Sequence, residues 1–299
     1  MGKAAEADDR ASIAEYVRES IDRLTSRERR AAQALLANYP AAGLAPVAEF
    51  AERAQVSAPT VLRFVAKLGF EGYPDFQRQL RDELEEQMAS PLAKPTRTAH
   101  ARSSDRATSD PFAEATLANL AGTFRHLPAA ELSAIVELIS DRRRSIHLIG
   151  GRFTDALARY FAVHLGLVRP DVWHVPPGIG VWRDRLLDIK RKDVLVVFDV
   201  RRYQEDVMSF ARAAAERGVV LVLITDQWLS PLSRRSAHVV ACRVAAPSRW
   251  DSNVALLAVV EKLTAAVTER LGKFARNRIE ELERLREATA EPPNGTSRR

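Results

Sequence analysis

Apolar residues between positions 46 and 73 recur with the period of two short helices. Val47, Phe50, Ala51 and Ala54 stand at i, i+3, i+4 and i+7, the spacing that gathers side chains on one buried face. Gln55 and Val56 interrupt that run, and Ser57 is a natural N-cap for the next one. Val61, Leu62, Val65 and Leu68 are predicted to point inward from the second helix. That leaves Ser57, Ala58, Pro59, Thr60, Arg63 and Lys67 on its outer face. Two helices joined by so tight a turn, the second offering short polar and long basic side chains, describe a helix-turn-helix. Its second helix is suited to a DNA major groove. Gly69 follows at the C′ position, where a left-handed backbone ends a helix most easily.

Flanking helices are predicted at 11–23 and 26–38, the latter opened by Thr25 or Ser26 with Glu28 in its first turn, and at about 74–88. Residues 89–110 are poor in large apolar side chains and rich in Ser, Thr, Pro and Arg, the composition of a linker. Beyond them helices alternate with short apolar runs. Helices at 111–125 and 129–142 precede a strand at 145–149, and a helix at 154–167 leads to a strand at 172–175. A helix at 180–189, a strand at 194–198, a helix at 204–217 and strands at 219–225 and 237–242 follow. Helices at about 251–271 and 274–288 close the pattern. Near-continuous apolar strands alternating with helices predict an α/β fold with a five-stranded parallel sheet covered on both faces. The expected organisation is an all-helical DNA-binding domain over 1–88, a linker over 89–110, an α/β domain over 111–275, and a C-terminal helix with a tail over 276–299. Ligands of such sheets bind beyond the C-terminal strand ends, here around 150–155, 176–180, 198–204 and 225–230.

Composition narrows the classes without deciding between them. The chain of 299 residues is long enough for two cores. Cys242 is its only cysteine, which excludes an internal disulfide and a cysteine-based zinc site. The opening MGKAAEADDR has no apolar segment of the signal-peptide kind, and no apolar run approaches the ~20 residues of a membrane span. A cytoplasmic protein without membrane contact is expected. A pI near 9.7 suggests nucleic acid, yet residues 1–88 carry twelve basic side chains against fifteen acidic ones. The useful charge is local: between 23 and 70, Arg23, Arg27, Arg29, Arg30, Arg53, Arg63 and Lys67 oppose Glu28, Glu49 and Glu52.

The strings Leu24-Thr25-Ser26-Arg27-Glu28-Arg29, Val56-Ser57-Ala58-Pro59-Thr60-Val61-Leu62-Arg63-Phe64 and Lys67-Leu68-Gly69-Phe70-Glu71-Gly72-Tyr73 resemble the RpiR/MurR-like transcriptional regulators. That family joins an N-terminal helix-turn-helix to a C-terminal sugar-isomerase (SIS) domain, and the likeness runs from about 22 to 270. In the turn, Gln55 stands where the family usually has Gly. The resemblance implies a phosphosugar pocket built from a Gly-rich loop after the first strand and a hydroxyl-rich loop, S-x-S-G-x-T-x-E, after a later one. Here the first loop reads Gly150-Gly151-Arg152-Phe153-Thr154. In the second, Phe198, Val200 and Tyr203 occupy the hydroxyl positions, Arg201 replaces the Gly, Arg202 follows, and the acid survives as Glu205. Aliphatic and aromatic side chains cannot make the short hydroxyl bonds that grip a phosphate.

On the DNA side the candidates are therefore Ser57, Ala58, Pro59, Thr60, Arg63 and Lys67. Arg63 is suited to a guanine edge and Lys67 to a phosphate. Effector candidates are Gly150, Gly151, Arg152, Thr154, Asp199, Arg201, Arg202 and Glu205, the two adjacent arginines offering forked contacts to an anion. Thr154 is a candidate cap for the helix after the first strand. One or two of Trp173, Trp182, Trp228 and Trp250, near strand ends or loops, can line a pocket. No histidine spacing suggests a metal, and neither a cofactor nor a catalytic residue is expected. Together these readings imply a non-enzymatic homodimer or homotetramer that binds a double-stranded DNA operator and senses a small anionic metabolite: a sugar phosphate, a sugar acid or another carboxylate. The alternatives are a SIS-type sugar-phosphate isomerase and a DNA-binding protein whose SIS-like domain only dimerises.

Overall fold

A computed structural model describes residues 12–88, 110–176 and 178–289; most of the expected linker, 89–109, and the tail beyond 289 lie outside the described residues. The first domain is helical. Helix α1, Ile13–Ser20, runs into a 3₁₀ turn at Ile21–Arg23. Helix α2, Ser26–Ala37, opens on a capping box in which the Thr25 hydroxyl accepts from the Glu28 N–H while the Glu28 carboxylate accepts from the Thr25 N–H. A short helix absent from the sequence expectation, α3, Ala41–Leu44, follows, then α4, Val47–Arg53, α5, Ala58–Lys67, and α6, Tyr73–Met88. Phe50, Val61, Phe64, Leu68, Phe76 and Leu80 form the centre of their shared core. Gly43 of α3 is fixed by packing, since a Cβ there would lie 2.4 Å from a Leu80 methyl.

Both helices of the helix-turn-helix terminate by the same backbone device. After α5, Phe70 N–H bonds to Val65 C=O and Gly69 N–H to Ala66 C=O, with Gly69 at φ 85°. After α4, Val56 N–H bonds to Ala51 C=O and Gln55 N–H to Glu52 C=O, but the left-handed residue is Gln55, at φ 54°. A side chain in that region costs roughly 1–2 kcal/mol, of which Gly would return part through its own greater chain entropy.

The second domain begins with α7, Pro111–His126, capped by Asp110, and α8, Ala129–Ser140. Then come β1, Ile146–Gly150; α9, Asp155–Val168; β2, Val172–His174; α10, Ile179–Asp188; β3, Val194–Asp199; and α11, Glu205–Glu216. Strands β4, Val220–Asp226, and β5, His238–Cys242, precede α12, Val254–Leu271, and α13, Lys273–Thr289. The five strands are parallel in the order β2-β1-β3-β4-β5, with Gly150 opposite Phe198 and Asp199 opposite Thr225. Alternation along β3 divides the core. Val194, Val196 and Phe198 face α8, α9 and α12, whereas Leu195 and Val197 face α10 and α11. The strand order reverses between β1 and β3, and the crevice beyond their C-terminal ends is where open α/β sheets bind ligands.

The two domains meet through α1. The Ser12 hydroxyl donates to Gln227 C=O at 3.0 Å, and the Arg243 guanidinium donates to the Glu15 carboxylate at 3.1 Å, both partners being buried. Gly122 of α7 makes room for Arg243, whose side-chain atoms would lie 2.5 Å from a Cβ at that position. Substituting Gln55→Gly should stabilise the helical domain by about 0.5–1 kcal/mol. A higher melting temperature of the full chain, with unchanged far-ultraviolet dichroism, is the expected measurement.

Candidate functional site

Helix α5 buries Thr60, Val61, Phe64, Val65 and Leu68 and turns Pro59, Leu62, Arg63, Ala66 and Lys67 to the outside. Two sequence assignments are thereby corrected. Thr60 is only 1% exposed, because it lies one turn before Phe64 on the same side of the helix, whereas Leu62 is 46% exposed. Polarity had assigned both residues to the wrong face; helical phase decides it. Ser57 occupies the N-cap position in an extended conformation, but its hydroxyl lies 2.9 Å from the Thr60 hydroxyl and caps no backbone N–H. Ala58 is half-buried and Pro59 exposed. Arg63 is exposed, with its guanidinium 3.3 Å from Thr60 Oγ1. Lys67 is exposed yet held by Glu28 at 2.6 Å. Burial alone would raise the Glu28 pKa, but the Lys67 bond and the Thr25 cap outweigh it and leave that carboxyl below its ordinary value.

In the second domain, the loops after β1 and β3 and the segment 249–253 surround a cavity of about 740 Å³. It lies beyond the ends of β1 and β3. Of the predicted effector residues, Gly151, Arg152, Thr154, Asp199, Arg201 and Arg202 line it; Gly150 and Glu205 do not. Gly150 is a packing residue, since a Cβ there would lie 2.5 Å from the backbone of Thr154 and Asp155. Glu205 points along α11 to Arg212 at 3.1 Å and to Ser209. Thr154 is buried, and instead of capping α9 it ties the loop shut: its hydroxyl donates to Phe198 C=O and accepts from Gly151 N–H. Arg201 is also withdrawn. It forms a fork with Asp251, Nε to Oδ2 at 2.6 Å, and lies over the Trp228 ring at 4.5 Å. The cations of the cavity wall that remain accessible are Arg152, Arg202 and Arg249, all exposed, and the last two have no carboxylate partner among the described residues.

Phe153, which was not among the sequence candidates, and Trp250, one of the four tryptophans singled out there, complete the wall. Phe153 and Trp250 are 59% and 60% exposed and meet edge to face at 5.7 Å. Of the tryptophans singled out in the sequence, Trp250 is the one that lines the cavity, while Trp228 supports Arg201 from below. Gln204 accepts from Arg152 N–H and donates to Asp206, so its side-chain amide joins the two loops. The acidic character of the site is buried beneath this surface. Burial pushes the Asp199 pKa up to about 7, against hydrogen bonds from Ser230 and the Gln204 N–H. Burial likewise raises Asp226 to about 6, against donation from Arg201 N–H, the Tyr203 hydroxyl and Trp228 N–H.

Residues 11–87 match the model of the helix-turn-helix domain of the rpiR family, and residues 138–266 match the SIS domain. The chain belongs to the RpiR family. It is a transcriptional regulator with a SIS domain. The HTH-type transcriptional regulator HexR of Escherichia coli is 24% identical over 94% of this chain and 95% of its own. The sugar isomerase domain of an RpiR transcription factor from Sphaerobacter thermophilus is 26% identical, covering 58% of this chain and 96% of its own with a TM-score of 0.55. The Vibrio vulnificus NanR protein complexed with ManNAc-6P shares the fold over 92% of this chain and 98% of its own, at 18% identity and a TM-score of 0.52. No helix among the described residues is long and apolar enough to cross a membrane.

A raised carboxyl pKa has a definite sign in stability. Asp199 favours the folded state fully below its ordinary value of 3.8 and loses that contribution as pH rises to about 7. The melting temperature of Asp199→Asn relative to the parent protein should therefore climb between pH 4 and pH 7 and level off above. A difference that stays flat across that window would show that Asp199 ionises normally.

Proposed function

We propose that this RpiR-family regulator binds a small anionic metabolite in the cavity beyond β1 and β3, and that occupancy changes its hold on a DNA operator. The observation that carries the reading is the trio Arg152, Arg202 and Arg249 around an open cavity at the topological switch point. Guanidinium groups fork onto carboxylate and phosphate, so sugar phosphates, sugar acids and other carboxylates are the candidate class. The ligand named for Vibrio vulnificus NanR, a sugar phosphate, belongs to it. In a homodimer or homotetramer, two α5 helices would enter half-sites about one DNA turn, ~34 Å, apart or a multiple of it.

The isomerase alternative has less support. Both carboxylates lining the cavity are engaged, Asp199 with Ser230 and Asp251 with Arg201, and no histidine is among the lining residues. An open cavity also disfavours a domain that only dimerises. Communication between the sites has a physical route. Asp226 fixes the Arg201–Tyr203 loop, and its chain neighbour Gln227 accepts from Ser12 of the DNA-binding domain and bonds to Val244 N–H. The Glu15–Arg243 pair lies beside it.

Replacing Arg202 and Arg249 together by Ala should abolish the thermal shift given by sugar phosphates, sugar acids or carboxylates while leaving operator affinity at matched salt within about twofold. A shift equal to that of the parent protein would sink the anion site. The double variant Glu15→Gln, Arg243→Gln removes both charges, so neither is stranded in the interior. It should keep metabolite binding but lose the ligand-induced change in operator affinity, measured by fluorescence anisotropy; an unaltered response would disconnect this contact from signalling.

A further inference from the structure

We infer that Leu62 reads a thymine methyl group in the operator. The inference rests on the reading that α5 enters the major groove. Leu62 lies on the outward face of that helix, between Pro59 one turn before it and Ala66 one turn after, and belongs neither to the buried core nor to the half-buried shell around it. A single exposed leucine is ordinary on a protein surface. Its position is not. The helix carries no acidic side chain, and one of its two cations, Lys67, is held by Glu28. What α5 presents outward is therefore an apolar stripe of Pro59, Leu62 and Ala66 flanked by Arg63. Among the groups on the floor of a major groove, the thymine C5 methyl is the apolar one. A leucine that faces bases has that methyl as its chemical complement, as an arginine has guanine O6 and N7. Leu62 and Arg63 are successive residues, so the thymine and any guanine read by Arg63 should fall on the same or neighbouring base pairs.

The test begins with selection of an operator from random-sequence duplexes by the full-length protein. Each thymine of one half-site is then replaced singly by deoxyuridine, which removes the C5 methyl and preserves pairing. One position should weaken binding by about fourfold, the worth of one buried methyl-sized group. That sensitivity should vanish in Leu62→Ala and persist in Leu62→Met, which keeps an apolar side chain of similar volume. A selected sequence indifferent to every methyl removal, or a methyl effect that survives in Leu62→Ala, overturns the contact and leaves the DNA reading of α5 standing. Selection of no sequence at all overturns that reading, and the contact with it.

Discussion

The fully buried carboxylate of Asp226, at the C-terminal end of β4, is the constraint on which both functional regions depend. One oxygen accepts from Arg201 N–H; the other accepts from the Tyr203 hydroxyl and Trp228 N–H. A buried carboxylate is tolerated only when such donors replace water, so the loops on either side are fixed by its needs. One of them is the floor of the cavity. The other continues at once into Gln227, which touches the DNA-binding domain. A single residue at the end of a central strand thus sets the loop under the cavity and the segment against which α1 rests.

This arrangement accounts for the unusual chemistry of the cavity. Guanidiniums are placed at two depths. Arg201, paired with Asp251 and stacked on Trp228, shapes the loop and has its charge neutralised in place. Arg152, Arg202 and Arg249 stand above it in contact with solvent. The backbone N–H groups that a Gly-rich loop offers an anion are already taken, Gly151 by Thr154 and Arg152 by Gln204. The proposed recognition of an anion would therefore rest on side-chain charge rather than on a backbone cradle, and charge-assisted forks suit such a role.

The alternation of apolar strands with helices was legible in the sequence, because strands covered on both faces need continuous apolar runs such as Val194–Phe198. So was the exit from α5, since Gly69 has one backbone reason to stand there. The short helix α3 was not, its four residues being too few to show a period. The faces of α5 were misread at Thr60 and Leu62 because polarity served as a proxy for exposure, when the phase set by Phe64 and Leu68 decides it. Arg201 and Arg202 read alike as neighbours in the sequence. Their fates differ through Asp251, fifty residues away in the chain, and nothing local to residues 198–205 announces that partner. Phe153 and Trp250 carried a weaker signal still, for an aromatic near a strand end is ordinarily core.

A metabolite can govern DNA binding only if it binds one arrangement of the two domains better than another. The position of Arg201 supplies a physical source for that difference. Arg201 is a lining residue of the cavity while its own N–H is held by Asp226, so the proposed anion would meet a residue already shared between Asp251 and the β4 loop. Any advantage the anion gains by drawing on that charge is set against the fork to Asp251, and a change in this balance bears on Asp226 and then on the Gln227 contact with Ser12. If the exposed trio attracts the proposed ligand equally in every arrangement of the domains, it cannot by itself shift their populations. Discrimination has to arise where the contact differs between arrangements, and Arg201 is the cationic lining residue whose own hydrogen bonds lead toward the DNA-binding domain.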